Sequence, residues 1–172
     1  MVVGLDRVLY NLNNIKKAQK DIDNLFIEKS LKWIAEKANK NLDKAINEPP
    51  HFWGSSARVW VTRIKGNVGI LENMDDNSAS IEFGIGKAGT EFSEIVWVAR
   101  QNGWEYDLPS EHKDEDGNWT FQDEHTGIWV KNFNGYKGKS FLYNSFIEYK
   151  DTYVWKKLYQ EAVDEVIRRV VK

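Results

Sequence analysis

The clearest pattern in the chain runs from Asp23 to Ile46, where Ile27, Leu31, Ile34, Ala38, Leu42 and Ala45 recur at steps of four and three among Lys, Asn and Glu. That spacing predicts a long amphipathic helix, ended by Pro49-Pro50. The preceding stretch, Leu5 to Lys20, reads as a further helical turn or two joined to it, weakened by the Asn-rich "NLNN". In "ARVWVTRIKGNVGILEN", Val59, Val61 and Ile64 alternate with other residues, Lys65-Gly66-Asn67 turns the chain, and Val68, Ile70 and Glu72 continue; this predicts a hairpin. "NSASIEF", after the turn Asp75-Asp76-Asn77, alternates polar and apolar positions and predicts a third strand, completing an antiparallel meander.

Farther along, "SEIVWVARQNG" supports two readings. Ile95, Val96 and Val98 favour a strand, while Phe92, Ile95, Val96 and Ala99 have helical spacing; Ser93 as N-cap and Asn102-Gly103 as C-cap tip it toward a short helix. Residues 104–140 read as an aromatic, acidic insertion with turn signals in "KDEDGN", "DEHTG" and "NFNGYKGK", and with short strands at Trp119–Gln122 and Ile128–Lys131. From Tyr153 to Val171, Trp155, Leu158, Ala162, Val166 and Val170 share one face of a second amphipathic helix. The expected class is α+β: a meander packed by a long N-terminal helix and a C-terminal helix, with a loop insertion. The 172 residues are expected to form one domain, divided into an N-terminal helical region (1–48), the meander and short helix (57–100), the insertion (101–140) and the C-terminal helix (141–172).

Composition narrows the chemistry. Zero Cys excludes disulfides, thiolate metal sites and thiol catalysis, and agrees with a cytoplasmic setting. No 18-residue apolar run is present, and "MVVGLDRVLYNLNN" does not resemble a secretory signal. The net charge of −2 conceals a separation: residues 72–130 hold 3 Lys/Arg against 14 Asp/Glu, whereas both flanks are positive. A phosphate backbone would not lie along that middle segment, but an acidic face meeting a basic one, within a chain or between copies, would use it.

Within "SIEFGIGKAG" the spacing Gly84-x-Gly86-x-x-Gly89 matches the loop that wraps a dinucleotide pyrophosphate. The preceding strand is not continuously apolar, no βαβ units follow, and Lys87 is the only local cation in an acidic segment. The glycines are better read as supplying positive φ or close packing where the strand leaves the sheet. His51, His112 and His125 fall in separate loops without metal-ligand spacing, so no metal or cofactor is expected. No G-x-S-x-G elbow or Walker sequence occurs; an acid/base or metal hydrolase built on Asp123 and His125 is the weakest of the readings weighed. Trp104, Tyr106, Trp119, Phe121, Trp129, Phe133 and Tyr136 concentrate in the insertion. About half are read as a satellite core pinning it down, the others as a protein interface or a stacking platform for sugars.

Taken in order, "GLDRVLYNLNNI", a long helix, a hairpin, "SASIEFGIGKAG", "GWEYD", "GNWTF" and "KSFLYNSF" before the last helix resemble the tail-component proteins of long-tailed bacteriophages. These are the tail-completion or head-tail joining proteins typified by gene product ten of a lambdoid coliphage. The Gram-positive phage and prophage branch carries similar phrases, "IEFGTG", "GWGYD", "GWTY" and "PFMYN", in the same order. Departures are Ile85 where Thr is usual, Ser140 where Pro precedes Phe141, and "FWGSSARVWV" in place of an Asp-Thr-Gly-x-Leu phrase. The resemblance implies a non-enzymatic virion protein that works at the neck or tail terminus. It would act as a ring of copies, for which a hexamer is one closure, contacting neighbouring phage proteins but no membrane and no specific nucleic-acid sequence. Such a protein would be found in the bacterial cytoplasm during assembly and then in the virion. Glu82, Gly84, Gly86, Trp104, Tyr106, Trp119 and Trp129 are its candidate subunit or partner contacts, and Phe83, Phe141, Tyr143 and Asn144 its structural motif positions. A carbohydrate-binding module using the insertion's Trp and Tyr residues is the alternative.

Overall fold

A computed structural model describes residues 5–47, 59–75, 78–85, 97–98, 100–101, 103, 115, 118–122, 126–133 and 135–170. The elements are helix α1 (Leu5–Asn47), strands β1 (Trp60–Lys65) and β2 (Val68–Asn73), helix α2 (Ser78–Phe83), strands β3 (Gly84–Ile85), β4 (Trp119–Gln122), β5 (Trp129–Phe133) and β6 (Tyr136–Lys137), and helices α3 (Phe141–Asp151) and α4 (Val154–Val170). The protein is α+β, with small antiparallel strand pairs between a long N-terminal helix and C-terminal helices. The Asn-rich start does not break α1, which is one helix throughout.

The expected meander is corrected: β1 pairs with β2, β3 with β6 and β4 with β5, in three two-stranded sheets. "SASIEF" is not a third strand but the six-residue helix α2. The Asn73 side chain accepts a bond from the Asp75 amide (2.9 Å), and the Ser78 amide donates to the Asp75 carbonyl (3.0 Å), turning the chain into a helix instead of a strand. Neighbouring Ile81 and Glu82 are then both buried, an arrangement that strict alternation forbids. Residues 97, 98, 100 and 101 are helical and Gly103, at φ 73, donates its amide to the Arg100 carbonyl (3.1 Å), so there the helical reading of "SEIVWVARQNG" holds.

The chain resolves into two compact units, Met1–Lys37 with Trp60–Glu72 and Ser145–Lys172, and Ala38–Val59 with Asn73–Asn144. Each is assembled from segments distant in sequence.

In the first unit, Leu31, Ile34 and Ala35 of α1 and Leu158, Ala162 and Val166 of α4 supply the buried apolar side chains. The Phe26 and Tyr159 rings meet edge to face (5.4 Å), and Lys29 pairs with Glu165 (3.3 Å). Trp33 tilts against Tyr149 of α3 (5.9 Å), and Lys37 pairs with Glu148 (2.6 Å). The β1–β2 turn needs the positive φ of Gly66, 62°, as two-residue hairpin turns with glycine first do. Gly69 lets β2 lie flush on α1, because a Cβ there would stand 2.6 Å from Ile27 Cγ2. The stretch "FLYNSFIEYKD" is a separate helix, α3, that the sequence reading treats only as a lead into the last one. Tyr153, at φ 55, carries the break before α4, and the Thr152 hydroxyl donates to the Glu148 carbonyl (2.6 Å).

A polar chain crosses this interior: the Tyr149 hydroxyl donates to Ser30 Oγ (2.8 Å), which donates to the Phe26 carbonyl (2.7 Å). Tyr149→Phe should lower unfolding free energy by about 1 kcal/mol, since the buried Ser30 hydroxyl loses its donor while ring packing is kept. Urea denaturation of the variant checks this.

In the second unit the buried apolar side chains are Ala38, Leu42, Ile81, Trp119 and Phe141. The β4–β5 pair aligns Trp119 with Phe133 but Phe121 with Val130, so β5 holds one extra residue there. Asn132, at φ 58, lies in that bulge. Trp119 stacks at a tilt on Phe133 (5.7 Å), and Phe133 meets Tyr136 edge-on (6.3 Å). These three form the satellite cluster expected of the insertion.

Candidate functional site

The second unit brings together the two phrases "SASIEFGI" and "KGKSFLYN", about sixty residues apart. The join is made by backbone first. The Lys139 amide donates to the Ile81 carbonyl (2.7 Å) and the Ser140 amide to the Glu82 carbonyl (3.1 Å), while Gly84 and Ile85 pair with Lys137 and Tyr136. Two glycines permit the approach. Gly84 has φ 79, and a Cβ on it would run into Gly138 and Tyr136 backbone atoms. A Cβ on Gly138 would stand 2.5 Å from the Phe83 carbonyl carbon and 2.7 Å from the Gly84 nitrogen. Gly84 therefore supplies both of the properties read for it, positive φ and close packing; Gly86 lies outside the described residues.

This contact carries Glu82 beneath the start of α3. Its two carboxylate oxygens accept separately from the Leu142 and Tyr143 amides, at 2.8 Å each. The first amides of a helix have no partner within it, and here a side chain from a distant segment provides one. The positive end of the helix dipole favours the same charge. Asn144 donates its amide to the Ser140 carbonyl (2.9 Å), closing the first turn, and Asn41 of α1 donates to the Phe141 carbonyl (3.3 Å). Glu82 is 6% exposed. Burial drives its carboxyl up to about 7, against the lowering pull of the Leu142, Tyr143 and Phe141 amides. Burial also raises the Tyr136 phenol, opposed by a hydrogen bond from Ser80.

The expected contact residues divide accordingly. Glu82, Gly84 and Trp119 are buried inside their own chain, so they are corrected from outer contacts to interior ones: the acid caps a helix, the glycine admits a backbone and the indole fills a cluster. Trp129 is 61% exposed and remains available to a partner. Trp104 and Tyr106 lie outside the described residues, as do His51, His112, His125 and Asp123. Of the motif positions, Phe141 is buried, Phe83 and Tyr143 are half-buried, and Asn144 is exposed. Gly138 and Ser140 were missed. Their signal is a serine ahead of the apolar run of α3, the usual mark of a helix start, with a glycine two residues earlier.

Among the described residues, no group of three or more His, Asp and Glu side chains is placed to hold a metal ion, and no helix is long and apolar enough to cross a membrane. The fold and site thus define an α+β protein organised around a carboxylate-capped helix. No protein-family model, curated protein or solved structure matches the chain.

Proposed function

We propose that the protein is a non-enzymatic structural component of a bacteriophage or prophage particle, acting in tail completion or head-tail joining as a ring at the neck or tail terminus. The observation that supports this reading is the meeting of "IEFGI" with "KSFLYN": two of the phrases on which the family resemblance rests interlock, with Glu82 capping the helix start. A ring needs a patch on one copy that complements a different patch on the next. The two units have such a contrast, with 15 Lys/Arg against 11 Asp/Glu in the first and 9 against 15 in the second. Exposed Ile128 and Trp129 in the second unit, and Tyr153 and Trp155 in the first, are apolar anchors of the kind that interfaces use.

Deleting the gene from its phage or prophage and imaging the particles tests the proposal. The expected result is filled heads and tails that fail to join; normal joined particles would refute it. The exposure of Trp129 also suits a sugar-stacking platform. Titrating tryptophan fluorescence with cell-wall glycans separates the two, and no saturable response is expected from an assembly protein.

A further inference from the structure

From Asn13 to Asp21 every residue of α1 is exposed except half-buried Ala18, and Ile15 is 64% exposed. Partial burial starts at Ile22, and beyond it Phe26 meets Tyr159 and Lys29 meets Glu165. The segment Leu5–Asp21 spans about 25 Å of helix at roughly 1.5 Å per residue. Helices of this length are marginal in water without packing, and Asn11, Asn13 and Asn14 are weak helix formers. Leu5, Val8, Leu12 and Ile15 follow one another at steps of three, four and three, the spacing of an apolar helix stripe.

The charges say what would cover it. From Arg7 to Lys20 the sequence holds Arg7, Lys16, Lys17 and Lys20 and no Asp or Glu. The second unit has the opposite excess, 9 Lys/Arg against 15 Asp/Glu, and on it Ile128 and Trp129 are 65% and 61% exposed. A basic helix with an apolar stripe thus complements an acidic unit with apolar anchors, in charge and in hydrophobicity. Since Asn13–Lys17 and Trp129 are all exposed in the single chain, the complement comes from a second copy.

We propose that Leu5–Asp21 is a docking arm: in the ring proposed above, on which this inference rests, the arm of one copy lies on the second unit of the next. Its apolar stripe covers Ile128 and Trp129, and its positive charges face that unit's carboxylates. Each copy gives one arm and receives one, the heterologous contact that closes a ring.

Replacing Ile15 with the photo-reactive residue benzoylphenylalanine in the full-length protein tests the arm. The variant is mixed with an equal amount of isotope-labelled wild type and irradiated. The expected product is a dimer of one labelled and one unlabelled chain, bonded between position 15 and the peptide that holds Ile128 and Trp129. Lys16→Glu, Lys17→Glu and Lys20→Glu together, all at exposed positions, should cut its yield about tenfold. Raising salt from roughly 0.1 M to roughly 1 M, which shortens the screening length from about 10 Å to about 3 Å, should lower it severalfold.

Bonds formed only within one chain, bonds to the first unit of another copy, or no dimer at all overturn the arm. A basic amphipathic helix also suits a lipid surface, so the same protein is sedimented with vesicles of phosphatidylcholine and phosphatidylglycerol. Capture that the three Glu substitutions abolish, without a cross-linked dimer, assigns the segment to lipid and overturns the arm. The arm and the neck role fail separately. A ring in solution that gives no bond from position 15 rejects the arm and keeps the ring, whereas the expected bond, with joined particles after gene deletion, keeps the contact and rejects the neck role.

Discussion

Gly138→Ala is expected to lose about 3 kcal/mol or more of unfolding free energy, and Gly84→Ala at least as much. At Gly138 the added methyl meets backbone atoms of Glu82, Phe83 and Gly84, which cannot rotate away as a side-chain end could. At Gly84 the same collision is joined by a positive φ that an L side chain adopts only under strain. Gly103→Ala separates the two effects. Gly103 also has positive φ, 73°, but among the described residues nothing lies within 4 Å of its missing Cβ, so its loss should stay near 1 kcal/mol. Urea unfolding followed by tryptophan fluorescence measures all three. A Gly138→Ala midpoint within error of wild type would mean that the segments before β3 and after β6 do not approach as described.

Phe141→Ala should produce the second large loss, about 3–5 kcal/mol. Its side chain is 2% exposed and heads α3, with its carbonyl bonded to Asn41, so truncation opens a cavity where α1 and α3 meet inside the second unit. Phe141→Leu keeps most of the volume and should recover more than half of that loss. If both variants unfold alike, the position depends on ring shape more than on volume. If neither unfolds early, Phe141 is not part of the core.

Long periodic segments were legible in the sequence. Leu31, Ile34, Ala38 and Leu42 in α1, and Leu158, Ala162 and Val166 in α4, repeat often enough for a 3.6-residue period to separate from a 2-residue one, and all are buried. "SASIEF" is too short for that. Its six residues fit either period, and the choice was made by the Asn73 and Asp75 turn that starts the helix. The role of Glu82 was illegible for a different reason. Locally it is a charged residue in an alternating run, which points outward; what makes it an interior residue is a pair of unpartnered amides sixty residues later. Gly84 was legible as a conformational necessity, whereas its partner Gly138 was not, because a close approach has two sides and the sequence pattern marked only one. In the insertion, aromatic density announced a cluster, but the bulge at Asn132, which aligns Phe133 with Trp119, sorted the inward rings from exposed Trp129.

The first unit also imposes an order on biosynthesis. Strand β2 reaches Ile27 and Leu31 of α1 within about forty residues, but other partners of that helix follow much later: Tyr149 meets Ser30 across 119 residues, and Tyr159 covers Phe26 from farther still. At ordinary translation rates of about 5–20 residues per second, α1 waits on the order of ten seconds for that cover. During that interval Phe26 and Trp33 would be open to a chaperone, or to α1 of a neighbouring nascent chain on the same message.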